Sequence, residues 1–373
     1  MYVKGVGMTK FGTQTDTSQE LVYEATLEAL EDANIGLEEI DAIVSSVVDT
    51  TCNGERQRGF SSILSSMLKK KIPIITSSAV CGSGGAVIWA ANKLGYGNVL
   101  VVGSERLLAN NTYVTTDEIL MAAERIYEQS EGLIFPAQNA LVAQQYMLRY
   151  GATTDDFALV AYKNHQNAYL NPKARFYKRA VTLKQIKKSP VVASPLRLFD
   201  CSLSVNGAAA AVLTKEKTDI EIAGSSLFVD RLSAFESEDM TTWQATKLAA
   251  EEAYKQAGVA PDDIDIAELH DAFTPLELVS YEDLGFCKKG EGSKLIRDGM
   301  TSLNGKLPVN TSGGLKAKGH PISATGIAQF YELVKQIRHE AGERQVSNVN
   351  YALAQNIGGA GSSISVHILR KVN

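Results

Sequence analysis

Ile74-Ile75-Thr76-Ser77-Ser78-Ala79-Val80-Cys81-Gly82-Ser83-Gly84-Gly85-Ala86 decides the reading of this chain. An apolar approach from Pro73 to Ile75 reads as a strand, and the run Ala86 to Leu94 reads as a helix. Between them lie small residues, glycines and one cysteine. A strand, a Gly-rich turn and a helix put Cys81 at or near a helix N-terminus, where unpaired N–H groups and the helix dipole favour a thiolate. Two readings fit this stretch alone: a nucleophile, or a structural cysteine buried in a turn.

Outward from that stretch the chain alternates strands and helices. Tyr2 to Gly7 reads as a strand ended by Gly5 and Gly7, and Ser18 to Asn34 as a helix capped by Thr17 or Ser18. Ile40 to Val48 is a buried strand, Gly54 to Lys70 a helix, and Asn98 to Glu105 a central parallel strand. This order implies an α/β layered domain. A repeat then appears. Ala25, Glu28, Ala29, Ala33, Ile40 and Asp41 match Ala249, Glu252, Ala253, Ala257, Ile264 and Asp265 at one constant separation, as do Glu38-Glu39 and Asp262-Asp263. Two related halves are therefore expected, 1–218 and 219–373. On this register Ser46 corresponds to His270. A second Gly-rich turn, Asn310 to Pro321, carries His320 into a helix from Ser323 to Ile337, opposite the Cys81 turn. The segment 108–197 stands outside the repeat, with helices over Pro136 to Tyr150 and Asp155 to Tyr169. Its basic stretch from Lys173 to Lys188 reads either as a cap for an anionic, phosphorylated substrate or as a solvated surface. Gly207 to Leu213 returns as a strand to the first half.

Composition narrows the class. The chain has 373 residues, 45% of them hydrophobic and 21% charged, with a net charge of −5. That balance argues against nucleic acid as a partner, and Lys69-Lys70-Lys71 reads as a solvated helix end. Neither a membrane span nor a signal peptide is expected. Cysteines at 52, 81, 201 and 287 show no metal-ligand spacing, so no metal is expected and a reducing cytoplasm fits.

Cys81-Gly82-Ser83, His270-Asp271-Ala272-Phe273, Gly319-His320-Pro321 and Asn356-Ile357-Gly358-Gly359 together resemble the active-site loops of thiolases, most closely the archaeal and sterol-carrier-protein types. The resemblance covers nearly the whole chain. It implies two βαβαβαββ halves in a five-layered α-β-α-β-α sandwich, with residues of about 108–197 as an inserted loop domain. It also implies a homodimer or homotetramer acting on acyl-coenzyme A, with CoA as substrate carrier and no other cofactor. Acetyl-CoA C-acetyltransferase and 3-oxoacyl-CoA thiolase are the implied activities. By carry-over, Cys81 is the nucleophile and His320 its base. The N–H groups of Cys81 and Gly358 form one oxyanion hole, and His270 with His320 the other. Phe273, Ser312, Gly313 and Gly314 are expected to meet substrate. His165 is read as structural or substrate-touching, His339 and His367 as surface or sheet-edge. Archaeal relatives imply a zinc-containing OB-fold partner and a hydroxymethylglutaryl-CoA synthase.

One departure matters. The family carries a second, proton-shuttling cysteine where this chain has Ala272 or Asn356, and neither replacement titrates near neutral pH. Cys201 and Cys287 lack its sequence context. Acyl transfer to a non-CoA acceptor, or a weakly active CoA-binding subunit of a complex, therefore stand as alternatives.

Overall fold

The computed structural model describes residues 1–47, 55, 57–77, 80–108, 111–233 and 236–372. Cys52 and Val48 lie outside the described residues. In chain order the elements are β1 (Tyr2–Met8), α1 (Ser18–Ala33), β2 (Ala42–Ser46), α2 (Phe60–Leu68), β3 (Ile74–Ser77), α3 (Ser83–Lys93) and β4 (Asn98–Arg106). Then come α4 (Thr112–Leu120), α5 (Phe135–Tyr150), α6 (Thr154–Tyr169), α7 (Leu183–Lys188), β5 (Val191–Ala193), β6 (Leu196–Arg197) and β7 (Asn206–Thr214). The second half has β8 (Ile220–Val229), α8 (Gln244–Ala257), β9 (Ile266–Glu268), α9 (Thr274–Asp283), α10 (Gly292–Arg297), α11 (Thr325–Ile337), β10 (Tyr351–Gly358) and β11 (Ser363–Lys371).

Nine strands run in the order β3-β2-β4-β7-β1-β8-β11-β10-β9. The halves meet through two residue pairs of β1 and β8, Tyr2 with Glu221 and Val3 with Ile220. Side chains alternate along each strand, and in the central strands β2, β4 and β7 both faces are buried. In β4, Val99 and Val101 face the layer holding α3 and α11, where Val87, Ile88, Ile327 and Val334 pack. Leu100 and Val102 face α1 and α2. In the second half Ala352 and Ala354 turn to the shared middle layer, while Leu353 turns to the cluster of α8 and α9. The result is the five layers expected, with α3 and α11 sandwiched at the centre.

The repeat is physical. Asp41 Oδ2 accepts the backbone N–H of Asn98 at the start of β4 (2.8 Å), and Asp265 Oδ2 accepts those of Asn350 and Tyr351 at β10 (2.7 and 2.9 Å). Glu39 and its counterpart Asp263 each cap a short 3-10 turn through the N–H of Gly36 and Ala260. Gly5 and Gly7 do not end β1. They lie within it, and a Cβ on either would come within 2.5 Å of the α1 backbone, so the glycines let helix and sheet approach. Helix α1 opens with the capping box of Thr17 and Glu20. Of the helix expected over Gly54 to Lys70, Gly54 lies outside the described residues, and α2 begins at Phe60, where Gly59 takes a left-handed φ of 77°. Strand β4 is parallel to β2 but antiparallel to β7, so it is not flanked on both sides by parallel neighbours.

Candidate active site

Val80 is the strained residue of the site. It sits at φ 53°, a left-handed conformation that a β-branched side chain resists. A 3-10 turn over Val80–Gly82 follows and leads directly into α3 at Ser83, whose hydroxyl donates to the Val80 carbonyl (2.6 Å). Cys81 thus stands at a helix N-terminus as expected. The expected thiolate does not follow. Desolvation pushes the thiol up to about 12, with the Glu105 carboxylate adding to the rise, while the N–H groups of Cys81 and Gly359 oppose it. Burial outweighs the dipole here.

Glycines bring the two halves together at this point. A Cβ on Gly84 would lie 2.6 Å from the Gly326 backbone nitrogen and 3.0 Å from the Ser323 carbonyl, so the N-termini of α3 and α11 abut. Gly84→Ala is expected to cost about 1–3 kcal/mol, since backbone rather than a flexible side chain must yield. Urea unfolding measures it, and an unchanged midpoint would mean that the two helix starts are not in contact.

His320 and His270 meet edge to face, ring centroids 5.2 Å apart at 88°. Both are buried. Desolvation, with Lys318 adding, depresses His320 to about 3. Desolvation, with His320 adding, holds His270 well below the usual imidazole range. Their tautomers follow from their partners. The Asn356 Nδ2 amide donates to His270 Nδ1 (3.1 Å), leaving the proton on Nε2 as a donor. His320 Nδ1 lies 2.7 Å from Thr325 Oγ1, a hydroxyl that also reaches the Pro321 carbonyl at 3.5 Å. A hydroxyl donating to that carbonyl accepts from Nδ1–H and leaves a lone pair on His320 Nε2.

Asn356 therefore has a second occupation, because its Oδ1 accepts the Gly85 N–H at the first turn of α3 (3.0 Å). The next peptide is held by His367, whose Nε2 donates to the Gly85 carbonyl (3.1 Å) while Ser225 bonds Nδ1 (3.0 Å). His367 is buried within β11 rather than at a surface or sheet edge. Asp271 likewise ties loops together: it accepts from Leu315 N (2.7 Å) and from Asn164 Nδ2 (2.7 Å), joining the His270 loop to the His320 turn and to α6. Burial first, then Glu277, raises it to about 6.

The remaining expected residues divide. Gly358, the expected oxyanion donor, packs on Gly82, and the backbone N–H of the next residue, Gly359, works against the rise of the Cys81 thiol. Ser312 is turned inward, its N–H and hydroxyl both given to Glu268 (3.0 and 2.5 Å). Gly313 and Gly314 are pressed against Ala168 and Asp271. Phe273 is buried and bridged to Cys201, whose thiol reaches the Arg197 carbonyl at 3.6 Å. His165 packs between the rings of Phe176 and Phe199. His339 is exposed. Cys81, Cys201 and Cys287 are free thiols, and no metal-holding cluster occurs among the described residues.

Comparison with known families decides the class. Residues 1–197 match the family described as thiolase, N-terminal domain, and residues 227–371 match thiolase C-terminal domain-like. The chain belongs to the thiolase family. This thiolase is 38% identical over 381 residues to the acetyl-CoA acetyltransferase of Methanothermobacter thermautotrophicus, covering 99% of each chain. It is 34% identical to the benzoylsuccinyl-CoA thiolase subunit BbsB of Thauera aromatica, over 97% of this chain and 95% of that one. Among solved structures it resembles the Ltp2-ChsH2(DUF35) aldolase, with a TM-score of 0.84, 27% identity and coverage of 99% and 97%. Human mitochondrial 3-ketoacyl-CoA thiolase in complex with CoA shares the fold, with a TM-score of 0.72, 18% identity and coverage of 100% and 98%. The chain is an acyltransferase of the thiolase type.

Proposed function

We propose that this thiolase transfers acyl groups between CoA thioesters through an acyl-Cys81 intermediate, as an acetyl-CoA C-acetyltransferase or a 3-oxoacyl-CoA thiolase. The observation that carries the reading is the His320–His270 pair, whose hydrogen bonds leave one lone pair and one donor, on a chain that sets Cys81 at the N-terminus of α3. His320 Nε2 takes the thiol proton as the sulfur attacks the thioester carbonyl. The N–H groups of Cys81 and Gly358 hold the developing oxyanion. Its collapse breaks the carbon–sulfur bond to CoA, and the proton on His320 leaves with the CoA thiol. His270 Nε2–H then faces the enolate oxygen of the second thioester. Formation of acetoacetyl-CoA from acetyl-CoA in a coupled assay tests this; acyl-enzyme without acetoacetyl-CoA would favour transfer to another acceptor instead.

That second reading, acyl transfer to a non-CoA acceptor or a weakly active CoA-binding subunit, is favoured by Ala272 and by the engagement of Asn356 at both ends of its amide. Ala272→Cys is therefore expected to raise the condensation rate at least tenfold without changing the amount of acyl-enzyme. An unchanged rate would show that another group already moves the enolate proton.

CoA serves as substrate carrier with no further cofactor, and Phe273 stands on the loop that meets the thioester. No substrate contact is proposed for the inward-turned Ser312, Gly313 and Gly314. In the loop domain, Arg175 lies beside Arg179, a pair suited to CoA phosphates, whereas Lys173 and Lys178 are taken by Glu28 and Glu343. The halves divide near residue 218. A homodimer or homotetramer fits β3, the outermost strand of the sheet, where Ile75 is exposed. Assembly with a second protein is suggested by the two-component name of the aldolase neighbour. A zinc OB-fold protein is the partner proposed, with hydroxymethylglutaryl-CoA synthase as a further one. A reducing cytoplasm suits the three free thiols, and no described helix is long and apolar enough to cross a membrane.

A further inference from the structure

The face of β10 and β11 that looks onto α3 changes character along its length. Its cross-strand pairs run Ala352 with Leu369, Ala354 with His367, and Asn356 with Ser365. The first pair belongs to the apolar middle layer. The next two bring in His367, Asn356 and Ser365, each 1% exposed. Apolar side chains of similar shape would fill this layer at little or no cost in stability. Packing therefore does not account for an imidazole and an amide here.

Their hydrogen bonds converge on one residue, Gly85, in the first turn of α3. His367 Nε2 donates to the Gly85 carbonyl (3.1 Å), and Asn356 Oδ1 accepts the Gly85 N–H (3.0 Å). The two successive peptides flanking Gly85 are thus gripped from neighbouring strands of the second half. A Cβ on Gly85 would collide with Ser365 Oγ, so strand and helix lie in direct contact. The imidazole is itself held on two more sides. Phe330 on α11 meets it edge to face at 5.3 Å, and Ser225, its cross-strand partner on β8, bonds Nδ1 (3.0 Å). A carbonyl only accepts, so the ring proton is on Nε2 and Nδ1 accepts from the Ser225 hydroxyl. Burial, opposed in part by the bond to Gly85, lowers His367 to about 4, and the ring keeps this one tautomer at neutral pH.

We propose that His367 is a positioning residue for acyl transfer: with Asn356 it locks the first turn of α3 and so sets Cys81 in register with His270. The role rests on the acyl-Cys81 reading and adds a residue to it. Four consecutive bonds run from Ser225 through His367, Gly85 and Asn356 to His270. They tie the helix that follows the nucleophile to the loop of the second histidine. A displacement of about 1 Å between reacting groups costs on the order of 10²-fold in rate.

The test is acyl-enzyme formation by the intact chain with acetyl-CoA at pH 7, read by mass. His367→Leu fills much of the same space without a hydrogen bond. It should lower the limiting acylation rate at least tenfold, while the acetyl-CoA concentration giving half that rate stays within threefold of wild type. Iodoacetamide labelling of Cys81 at pH 10 should stay within a few-fold, because access to the thiol is not what the bond controls. His367→Gln, whose amide can donate to the Gly85 carbonyl, should recover most of the lost rate, a rescue that a packing role does not give. Ser225→Ala frees Nδ1 and leaves the ring in place; it should slow acylation at least threefold, and it decides the matter if His367→Leu does not fold. Acylation within twofold of wild type in folded His367→Leu, no recovery in His367→Gln, or an unchanged rate in Ser225→Ala would overturn the proposal and leave the Cys81 reading intact. No adduct on the wild-type chain would overturn both.

Discussion

Cys81→Ala is expected to abolish the acyl adduct and to lower turnover by about 10⁴-fold or more. A methyl group in place of the thiol leaves the oxyanion N–H groups and the histidines with nothing to form the covalent bond. The fold should survive, because the substitution removes one sulfur from a half-buried position. Intact mass after incubation with acetyl-CoA gives the first readout, and the coupled assay the second. The wild-type thiol adds a further check. With burial pushing Cys81 up to about 12, its thiolate share at neutral pH is on the order of 10⁻⁵. Alkylation by iodoacetamide should then climb about tenfold per pH unit between pH 7 and pH 10. A plateau near neutrality would reveal a standing thiolate–imidazolium pair and refute the neutral-pair description.

The repeat and the motifs made most of the architecture legible because they are local. Asp41 and Asp265 do the same work at the starts of β4 and β10, and a carboxylate beside an apolar run shows in the sequence. Helix limits were readable where caps were, as at Thr17, and failed before Phe60, where Gly59 rather than a side-chain cap begins the helix. What the sequence hid was long-range. Nothing near Asn356 says that its amide spans Gly85, 271 residues away, and His270. His367 looked like a sheet-edge residue because an alternating strand near the chain's end usually has one wet face; in this fold both faces of β11 are covered. The state of Cys81 is hidden for a related reason. A helix N-terminus is visible as a Gly-rich turn, but the desolvation that outweighs its dipole arises only when the second half closes over it.

Losing the base should cost nearly as much as losing the nucleophile. His320→Ala is expected to reduce acyl-enzyme formation by about 10²–10⁴-fold, the usual share of a positioned proton acceptor. Cys81 sits near 12 and His320 near 3, both through burial. Both shifts disfavour a ready-made ion pair, partly offset by the attraction of the charges once formed. Proton transfer must therefore accompany attack on the thioester, so the base has to be in place at that moment and cannot be replaced by prior ionisation in bulk water. Two readouts separate this role from a structural one. Added imidazole should restore part of the rate in the alanine variant. Iodoacetamide labelling of Cys81 near pH 10, where solvent hydroxide suffices, should stay within a few-fold of wild type. A variant that acylates within threefold of wild type at pH 7 would remove His320 from the mechanism. The lone pair of His320 Nε2 would then have to be explained by packing alone.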